Sequence, residues 1–336
     1  MRRRKSHQES AISADIAIIG AGLAGCTCAS ALARHGLRVL ILEKSGDIGG
    51  RLATRRRPKG HWNHGAPALS PGDPAFTQFL GSLESAGTAQ REDGPGGLPR
   101  FQGLPDMREL LRPLVARTPL AFNTLARRLF RRGASWMVET EFGDQGPFRA
   151  VVVALPAPQA TDLLARSRLD GLMPPAPVTM APVWTLLLGF DEQRPPPAPA
   201  DRRIVERVIP QTHRPGDRPG WCAERWVVHA TARWSSDHVE LDAADAGERL
   251  LRALAPSLAD GDADRPDVVM THRWRFAQTT SPMGRTHLWD PDTAVGLAGD
   301  WCLGATAEDA FTSGGALARD ISKCLLTDSA KAQGHA

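Results

Sequence analysis

The chain of 336 residues contains no tyrosine, and aromatic residues make up only 6% of it. Lysine is also scarce, since five lysines stand beside 36 arginines. The five cysteines form neither a Cys-x-x-Cys pair nor a metal-binding spacing with histidine. We therefore expect no metal centre and no disulfide framework, and the sequence favours a reducing compartment.

Long apolar runs and aromatic-rich basic runs are absent as well. No stretch is apolar over the length needed to span a bilayer, and no basic run is interleaved with aromatic residues. We therefore expect neither a membrane nor a nucleic acid as a partner. The 42% hydrophobic content of this chain is sufficient for one large domain or two interleaved ones.

Near the start of the chain, an apolar strand is followed by a glycine-rich turn and a helix of small residues. In the Gly-x-Gly-x-x-Gly turn, Gly20 allows the tight turn, Gly22 lets the backbone approach a phosphate, and Gly25 lets the helix pack closely on the strand. The first N–H groups of the helix would face a pyrophosphate. Leu23 and Ala24 of the same turn are therefore predicted to bind it as well.

The second apolar strand ends at Glu43, at the distance expected for an acidic partner of the glycine turn. A carboxylate in this position accepts hydrogen bonds from the ribose hydroxyls of an adenosine and disfavours a 2′-phosphate. Lys44 follows it and is included among the predicted contacts. Together with the turn, this strand–helix–strand pattern indicates a bound dinucleotide.

The next segment, Gly49-Gly50-Arg51-Leu52, indicates which dinucleotide is bound. An arginine just past the second strand can reach a pyrophosphate as a planar and permanently charged donor. This arrangement is more similar to FAD-binding oxidoreductases than to NAD dehydrogenases. We therefore predict FAD, with Gly50, Arg51 and Leu52 among its contacts.

The N-terminus resembles a lipoprotein signal, because a basic start precedes an apolar stretch and the sequence Leu23-Ala24-Gly25-Cys26. Cleavage there would remove the first strand and most of the phosphate turn that Glu43 and Arg51 presuppose. We therefore reject this interpretation, and expect residues 1–13 to be a disordered basic tail of a cytoplasmic protein.

A second strong signal lies near the other end of the chain, where Gly299 and Asp300 follow an apolar strand predicted from Thr293. The aspartate could bind the ribityl and pyrophosphate side of FAD. The helix that follows, with Ala310 and Phe311, would direct its N-terminal dipole at the N1/C2 carbonyl region of a flavin. The alternative is that this segment is only a capped helix preceded by an aspartate in a turn, without a role in cofactor binding.

Other segments have the patterns of strands and helices. Strands are predicted at 120–123, 136–141, 150–155, 184–190, 225–231 and 268–276, an amphipathic helix at 243–258, and an exposed proline-rich loop at 191–200. The run at 150–155 is continuously apolar, which is typical of a buried parallel strand.

These motifs resemble the renalase-like NAD/FAD-dependent oxidoreductases, a branch near the flavin amine oxidases. The resemblance rests on segments that span nearly the whole chain in the family's order, namely Gly49–Arg55, His64–Ala66, Trp226–Thr231 with Trp234-Ser235, His272–Phe276 and Gly299–Ala318. The first and last are shared with many flavoproteins, whereas the middle ones are more specific.

The resemblance implies an α/β fold in which a Rossmann-type FAD-binding domain is interleaved with an α+β substrate domain roofed by an antiparallel sheet. The FAD-binding domain would comprise residues 14–62, 105–160 and 290–326, and the substrate domain residues 63–104 and 161–289. Residues 327–336 would be a disordered tail. Gly65 and Ala66, beside the flavin, and Ala126 are further cofactor-binding candidates.

In renalases the substrates are dihydronicotinamide dinucleotides reduced at carbon 2 or 6, and molecular oxygen is the electron acceptor. Amine oxidation is less favoured here. The chain lacks the tyrosine pair that cages amines in many amine oxidases, reads Ala305-Thr306 where such enzymes often carry Gly-Tyr, and has no lysine between Lys59 and Lys323. It also reads Asn63-His64-Gly65-Ala66-Pro67-Ala68 where renalases tend to read Asp-His-Gly-Ala-Gln-Tyr, which concerns the choice of substrate.

The catalytic candidates are His64, His272 and Trp274, followed in second rank by Trp234 and His229, for which packing in the core is the alternative. Strand alternation places His272, Trp274 and Phe276 on one face and Arg273 and Arg275 on the other; Arg225, Val227, His229 and Thr231 share a face of another strand. An aromatic strand packed in a core, with a satisfied histidine, is the alternative for the first face.

Three hypotheses about function follow. The first is a renalase-type FAD-dependent oxidase acting on a small molecule such as a nicotinamide dinucleotide and using oxygen. The second is an amine oxidase or desaturase on the same fold. The third is a dinucleotide-binding sensor without turnover.

Overall fold

The computed structural model describes residues 14–173, 177–211, 217–260 and 265–333. The tail predicted for residues 1–13 lies outside these ranges. Within them, no helix combines the length and the apolar character needed to cross a membrane.

Short strands make up much of the described chain. In order they are β1 (Ile16–Ile19), β2 (Val39–Leu42), β3 (Thr54–Arg57), β4 (Gly60–Asn63), β5 (Ala89–Asp93), β6 (Pro99–Gly103), β7 (Leu120–Ala121), β8 (Ala126–Arg132), β9 (Ser135–Thr140), β10 (Gly143–Phe148), β11 (Ala150–Val153), β12 (Thr179–Phe190), β13 (Val205–Pro210), β14 (Glu224–Ala230), β15 (Val268–Ser281), β16 (Leu288–Asp290) and β17 (Val295–Leu297).

The helices lie between these strands. They are α1 (Leu23–Arg34), α2 (Pro74–Ser85), α3 (Arg112–Val115), α4 (Ala157–Arg166), α5 (Ala232–Asp237), α6 (Ala243–Leu254), α7 (Pro256–Asp260) and α8 (Ala307–Gln333). Short 3-10 helices occur at Gly50–Leu52, Pro95–Gly97, Met107–Leu110, Asp170–Leu172 and Asp300–Cys302.

A six-stranded sheet in the order β16-β17-β11-β1-β2-β7 forms the centre of the first unit. Its strands are parallel except for β16, which pairs antiparallel with β17. Ile16 and Ile18 of β1 face a core that includes α1 and α8, whereas Ala17 and Ile19 face the β8–β10 sheet and α4. Because both faces are covered, the central strands are continuously apolar, as the run at 150–155 predicts.

An antiparallel sheet in the order β13-β14-β12-β15 forms the second unit. Its outer face packs against α5 and α6 in a core that contains Trp184 and Trp226. Its inner face packs against the β3–β4 hairpin through Trp62, which contacts Leu187 and Val227 and donates a hydrogen bond to the Leu188 carbonyl at 2.8 Å. The predicted fold class, a Rossmann-type unit interleaved with an antiparallel sheet, is confirmed.

The helix predicted at 243–258 is instead broken in two. The α6 helix ends at Leu254, and Ala255 has the extended dihedrals φ −157° and ψ 118° before α7 begins at Pro256. The residue before a proline avoids the helical region because of the proline ring, and this local rule overrides the apolar periodicity. The proline-rich segment at 191–200 contains neither helix nor strand and is mostly exposed, as expected.

Two boundaries differ from the predicted domains. Phe76 and Leu80 of α2 and Phe101 of β6 pack in the same core as Ile16, so much of the segment at 63–104 joins the Rossmann-type unit rather than the substrate domain. The last helix continues to Gln333, into the predicted tail at 327–336. This extension is understandable because the chain contains neither glycine nor proline between Gly315 and Gly334.

Candidate active site

The glycine turn leaves the N-terminus of α1 without a side-chain cap. Gly22 is the N-cap of α1, and no side chain caps this end of the helix. A Cβ atom built on Gly22 would meet nothing within 4 Å, whereas one on Gly25 would overlap the Gly20 carbonyl oxygen. Gly20 has φ +105°, and its Cβ would lie 2.6 Å from the Ala154 carbonyl oxygen. The helix start thus has N–H groups without a side-chain cap, next to a Gly22 with clear space in its Cβ direction, as a phosphate site requires.

The carboxylate of Glu43 lies beside this turn and is buried. Its Oε2 atom accepts the Ala21 N–H at 2.8 Å, and Oε1 accepts the Ser45 N–H and hydroxyl at 2.8 and 2.7 Å. A carboxylate can accept about four hydrogen bonds, so capacity for a ribose hydroxyl remains. Lys44, which follows, has an exposed side chain.

Arg51 and Asp300 form a bidentate ion pair that joins the two ends of the chain. Arg51 Nη1 lies 2.7 Å from Asp300 Oδ2, and Nη2 also donates to Oδ1. The same Nη1 donates to the Ala277 carbonyl at 3.2 Å, and the Thr279 hydroxyl donates to Asp300 at 3.0 Å. The sequence marked each partner separately as a cofactor contact but gave no sign of their pairing.

Close backbone packing holds the remaining N-terminal candidates around Arg51. A Cβ on Gly50 would lie 3.1 Å from the Gly22 Cα, and a Cβ on Gly65 would overlap the Arg51 carbonyl oxygen. The Ala66 N–H donates to that carbonyl at 3.0 Å. The side chain of Leu52 is buried in the first core, and Ala126 is buried at the start of β8.

The start of α8 is capped by the chain itself. Thr306 Oγ1 donates to Asp309 Oδ2 at 2.6 Å, and the Asp309 N–H returns a bond to Thr306 Oγ1 at 3.1 Å. This is the capped helix that the sequence left open as an alternative. The Phe311 side chain stacks on Phe79, with ring centroids 4.9 Å apart, so it packs against α2. Ala310 is also buried.

A cluster of three aromatic side chains lies on the inner face of the antiparallel sheet. The His64 ring stacks on Trp274 at 5.0 Å between centroids and meets His272 edge-on at 4.7 Å. His272 and Trp274 are themselves 4.4 Å apart. The Trp274 indole N–H donates to the His64 carbonyl at 3.0 Å, which ties β15 to the β3–β4 hairpin. Strand alternation correctly predicted the shared face, and the contact with His64 could not be read from it.

The histidines on this face are held in the neutral form. Burial lowers the pKa of His64 to about 3, assisted by His272 and Arg55. Burial also lowers the pKa of His229 to about 4, with a contribution from Arg207, and that of His272 to about 4, with one from Arg55. Among the described residues, His64 Nδ1 and His229 Nε2 are buried without a hydrogen-bond partner.

Trp234, a second-rank candidate for which core packing is the alternative, does not belong to this cluster. It packs with Trp184 and Trp226 in the core on the outer face of the sheet, and its ring stacks on His238 at 4.6 Å. The reason is the direction of the chain after β14, where Thr231 caps α5 through the Trp234 N–H at 3.3 Å. This helix carries Trp234 away from the face that holds His229.

Residues 18–83 match the family model of an NAD(P)-binding Rossmann-like domain. Over nearly its whole length, the chain is similar in fold to several solved structures of oxidases. A protein from Exiguobacterium sp. 255-15 whose name assigns it to the protoporphyrinogen oxidases has a TM-score of 0.68 and 13% identity, covering 93% of this chain and 99% of its own. A double mutant of putrescine oxidase has a TM-score of 0.63 and 13% identity, covering 92% and 99%. Cyclohexylamine oxidase from Brevibacterium oxydans IH-35A has a TM-score of 0.58 and 14% identity, covering 93% and 99%.

This chain therefore shares the fold of these oxidases over both of its units.

Asn63 has a structural role at the end of the β3–β4 hairpin. Its Oδ1 accepts the Thr54 hydroxyl at 2.7 Å and the Met107 N–H at 3.2 Å, and its own N–H donates to Gln211. Asn63 thus secures the hairpin that carries His64.

Proposed function

We propose that this protein is an FAD-dependent oxidoreductase of the renalase type, which oxidises a dihydronicotinamide-type small molecule with molecular oxygen as the electron acceptor. The residues present fit the cofactor. The uncapped start of α1 at Gly22 suits the pyrophosphate, Glu43 has capacity for a ribose hydroxyl, and the turn at Gly65 lies against Arg51 at the entry to the histidine cluster.

Bound FAD would supply the two-electron chemistry, because its N5 atom accepts a hydride and the reduced ring passes electrons to oxygen to form hydrogen peroxide. The protein's own contribution is then to bind and orient the donor and to exclude water. The Trp274 indole offers a flat aromatic ring for this, and the His272 ring meets it edge-on at 4.4 Å. The unpaired ring nitrogens of His64 and His229 can accept or donate a hydrogen bond to a carboxamide.

One observation carries this proposal, namely the burial of the histidines on the inner face, which disfavours their charged form. General acids and bases work best when their pKa lies near the operating pH. With pKa values of about 3 and 4, His64, His229 and His272 are poor groups for moving protons at neutral pH. A dihydronicotinamide loses its hydride without losing a proton, so its oxidation needs no such group.

Anaerobic mixing of the purified holoprotein with candidate donors tests the proposal. We expect dihydronicotinamide dinucleotides reduced at carbon 2 or 6 to bleach the flavin absorption near about 450 nm. His272→Gln should slow this reduction by about 10- to 100-fold through loss of orientation. His238→Gln is the matched control, because His238 stacks on Trp234 at the outer face, and it should leave the rate unchanged.

Two results would overturn the proposal. Protein that is colourless and cannot be loaded with FAD would exclude a flavoenzyme. A bound flavin that no donor reduces would favour the dinucleotide-binding sensor without turnover.

Amine oxidation is the second candidate, and the similarity to putrescine oxidase and cyclohexylamine oxidase favours it. Against it stand the absence of tyrosine from the chain and the cationic surroundings of the histidines, where Arg55 and Arg207 act. An amine is protonated at neutral pH and would be repelled by these charges. Bleaching by putrescine or cyclohexylamine, without bleaching by the dihydronicotinamides, would support this alternative.

A further inference from the structure

Arg55 of β3 points from the hairpin toward the inner face of the antiparallel sheet. It pairs across the hairpin with Trp62, and paired residues of antiparallel strands project to the same side. Trp62 packs into the sheet, and Arg55 Nη2 correspondingly lies 3.5 Å from His272 Nδ1. The arginine therefore borders the cluster of His64, His272 and Trp274.

The guanidinium of Arg55 has no carboxylate within ion-pair distance among the residues that the structure describes. It is half-buried, and burial together with Arg57 lowers its pKa. Guanidinium groups remain charged in proteins. A partly desolvated positive charge is thus held beside neutral histidines without a counter-charge from the described chain.

Several other arginines near the buried cores are neutralised by carboxylates. Arg51 is paired with Asp300, Arg108 with Asp47, and Arg225 with Asp217. Arg56, the neighbour of Arg55 on the opposite face of β3, is paired with Asp106 at 2.6 Å. Arg55, by contrast, has no such carboxylate partner among the residues that the structure describes.

We propose that Arg55 is the substrate anchor of the site and binds a carboxylate or phosphate group of the molecule oxidised there. This inference rests on the proposed function, since it assigns an anionic substrate class to the same site. The fork of an arginine matches both anions in a bidentate manner. An anion at Arg55 would lie beside His272 and leave the attached ring next to Trp274.

The proposal distinguishes two ligands that differ in one substituent of the same ring. Nicotinate carries a carboxylate where nicotinamide carries a neutral amide, and their rings are otherwise alike. Arg55 should therefore raise the affinity for nicotinate selectively. Arg57, two residues along the same strand, is exposed and donates to the Arg56 carbonyl at 3.1 Å, so Arg57→Gln removes the same charge outside the cluster and is the matched control.

A ligand-observed NMR titration of the full chain with excess FAD measures these affinities. We expect Arg55→Gln to weaken nicotinate binding by about 10- to 100-fold and to leave nicotinamide binding unchanged. Arg55→Lys should recover part of the nicotinate affinity, since it restores the charge without the fork. Equal nicotinate affinity in Arg55→Gln and wild type, an equal loss for both ligands, or the same loss in Arg57→Gln would overturn the proposal.

Donor kinetics give a second and independent readout. In Arg55→Gln, the KM of an anionic donor should rise by about 10-fold or more while kcat stays within about twofold, because a binding contact is lost. A weaker FAD affinity in Arg55→Gln, with unchanged nicotinate binding, would assign the arginine to the cofactor instead and overturn the proposal. If no donor reduces the flavin but nicotinate binding depends on Arg55, the proposed function fails and the anion site stands.

Discussion

His64, His229 and His272 occupy surroundings that disfavour the imidazolium ion. His64 and His229 are 3% and 6% exposed; neighbouring histidines and Arg55 act on His64, and Arg207 acts on His229. Both burial and like charge oppose protonation. The charge state of the proposed site is therefore determined by packing of the β3–β4 hairpin on the sheet, rather than by the bulk pH between about 5 and 8.

The same shift makes stability depend on pH, and His229 tests it. The folded-state pKa of about 4 lies below the ordinary value of 6.5, so below about pH 6.5 the unfolded chain binds more protons. Stability is then complete above pH 6.5 and falls as the pH decreases toward 4, by up to about 1.4 kcal/mol per pH unit for each such histidine. His229→Gln should reduce this slope by about one proton, as measured by urea unfolding at pH 5, 6 and 7.

Measurements above pH 7.5 provide the control for this experiment. Here the histidine is neutral in both states, so the variant and the wild type should have parallel pH profiles. An unchanged slope between pH 5 and 6.5 in His229→Gln would show that its imidazole is not the group responsible.

At the scale of elements, sequence periodicity predicted the features that are determined locally, such as which side chains of a strand share a face. The alternation in β15 predicted that His272 and Trp274 share a face and that Arg273 points the other way, as its contact with Trp184 confirms. It could not predict that His64 covers that face, because the contact joins segments about 200 residues apart. The break at Pro256 follows from the proline itself, which restricts Ala255, whereas the apolar periodicity continues across it.

Helices α1 and α8 cross so closely that one of two adjacent glycines is required. A Cβ on Gly314 would overlap the Ala24 carbonyl oxygen, whereas one on Gly315 would find its nearest atoms at 3.9 Å. We therefore expect Gly314→Ala to reduce the free energy of unfolding by about 1–3 kcal/mol through overpacking. Gly315→Ala should instead be neutral or raise it by up to about 1 kcal/mol, because alanine favours helix.

Urea unfolding of both variants at pH 7.5 measures this difference. Each variant adds one methyl group to the same helix, so the pair controls for composition and helix propensity. Equal effects of the two substitutions would contradict a specific close crossing at Gly314.

At the scale of the whole molecule, the chain passes repeatedly between the Rossmann-type unit and the antiparallel sheet. The ion pair of Arg51 and Asp300 spans 249 residues of sequence, and the Ala277 carbonyl brings β15 to the same arginine. Local patterns predicted both charged residues as cofactor contacts, but a pairing at this separation has no local signal. Arg51 and Asp300, which are predicted to contact the cofactor, thus also connect the N-terminal part of the chain with β15 and with the segment before α8.

A double-mutant cycle measures how strongly this pair holds the parts together. The side chains of Arg51 and Asp300 are 30% and 2% exposed, so either single substitution leaves a partly desolvated charge without its partner. We expect Arg51→Met and Asp300→Asn each to reduce the free energy of unfolding by about 2 kcal/mol, below the range of about 3–5 kcal/mol for fully buried pairs because water reaches Arg51. The double variant should lose about 1–2 kcal/mol less than the sum.

The pair of Arg128 and Glu139 is the matched control for this cycle, because it joins adjacent strands and its side chains are 51% and 38% exposed. Its coupling should be below about 1 kcal/mol, as is usual for exposed ion pairs. All variants are unfolded by urea at one fixed FAD concentration. The contribution of FAD binding is then included in every free energy of unfolding that the two cycles compare. Additive effects at Arg51 and Asp300 would mean that the pair does not connect the two ends of the chain energetically, and that burial of the helices α1 and α8 alone does so.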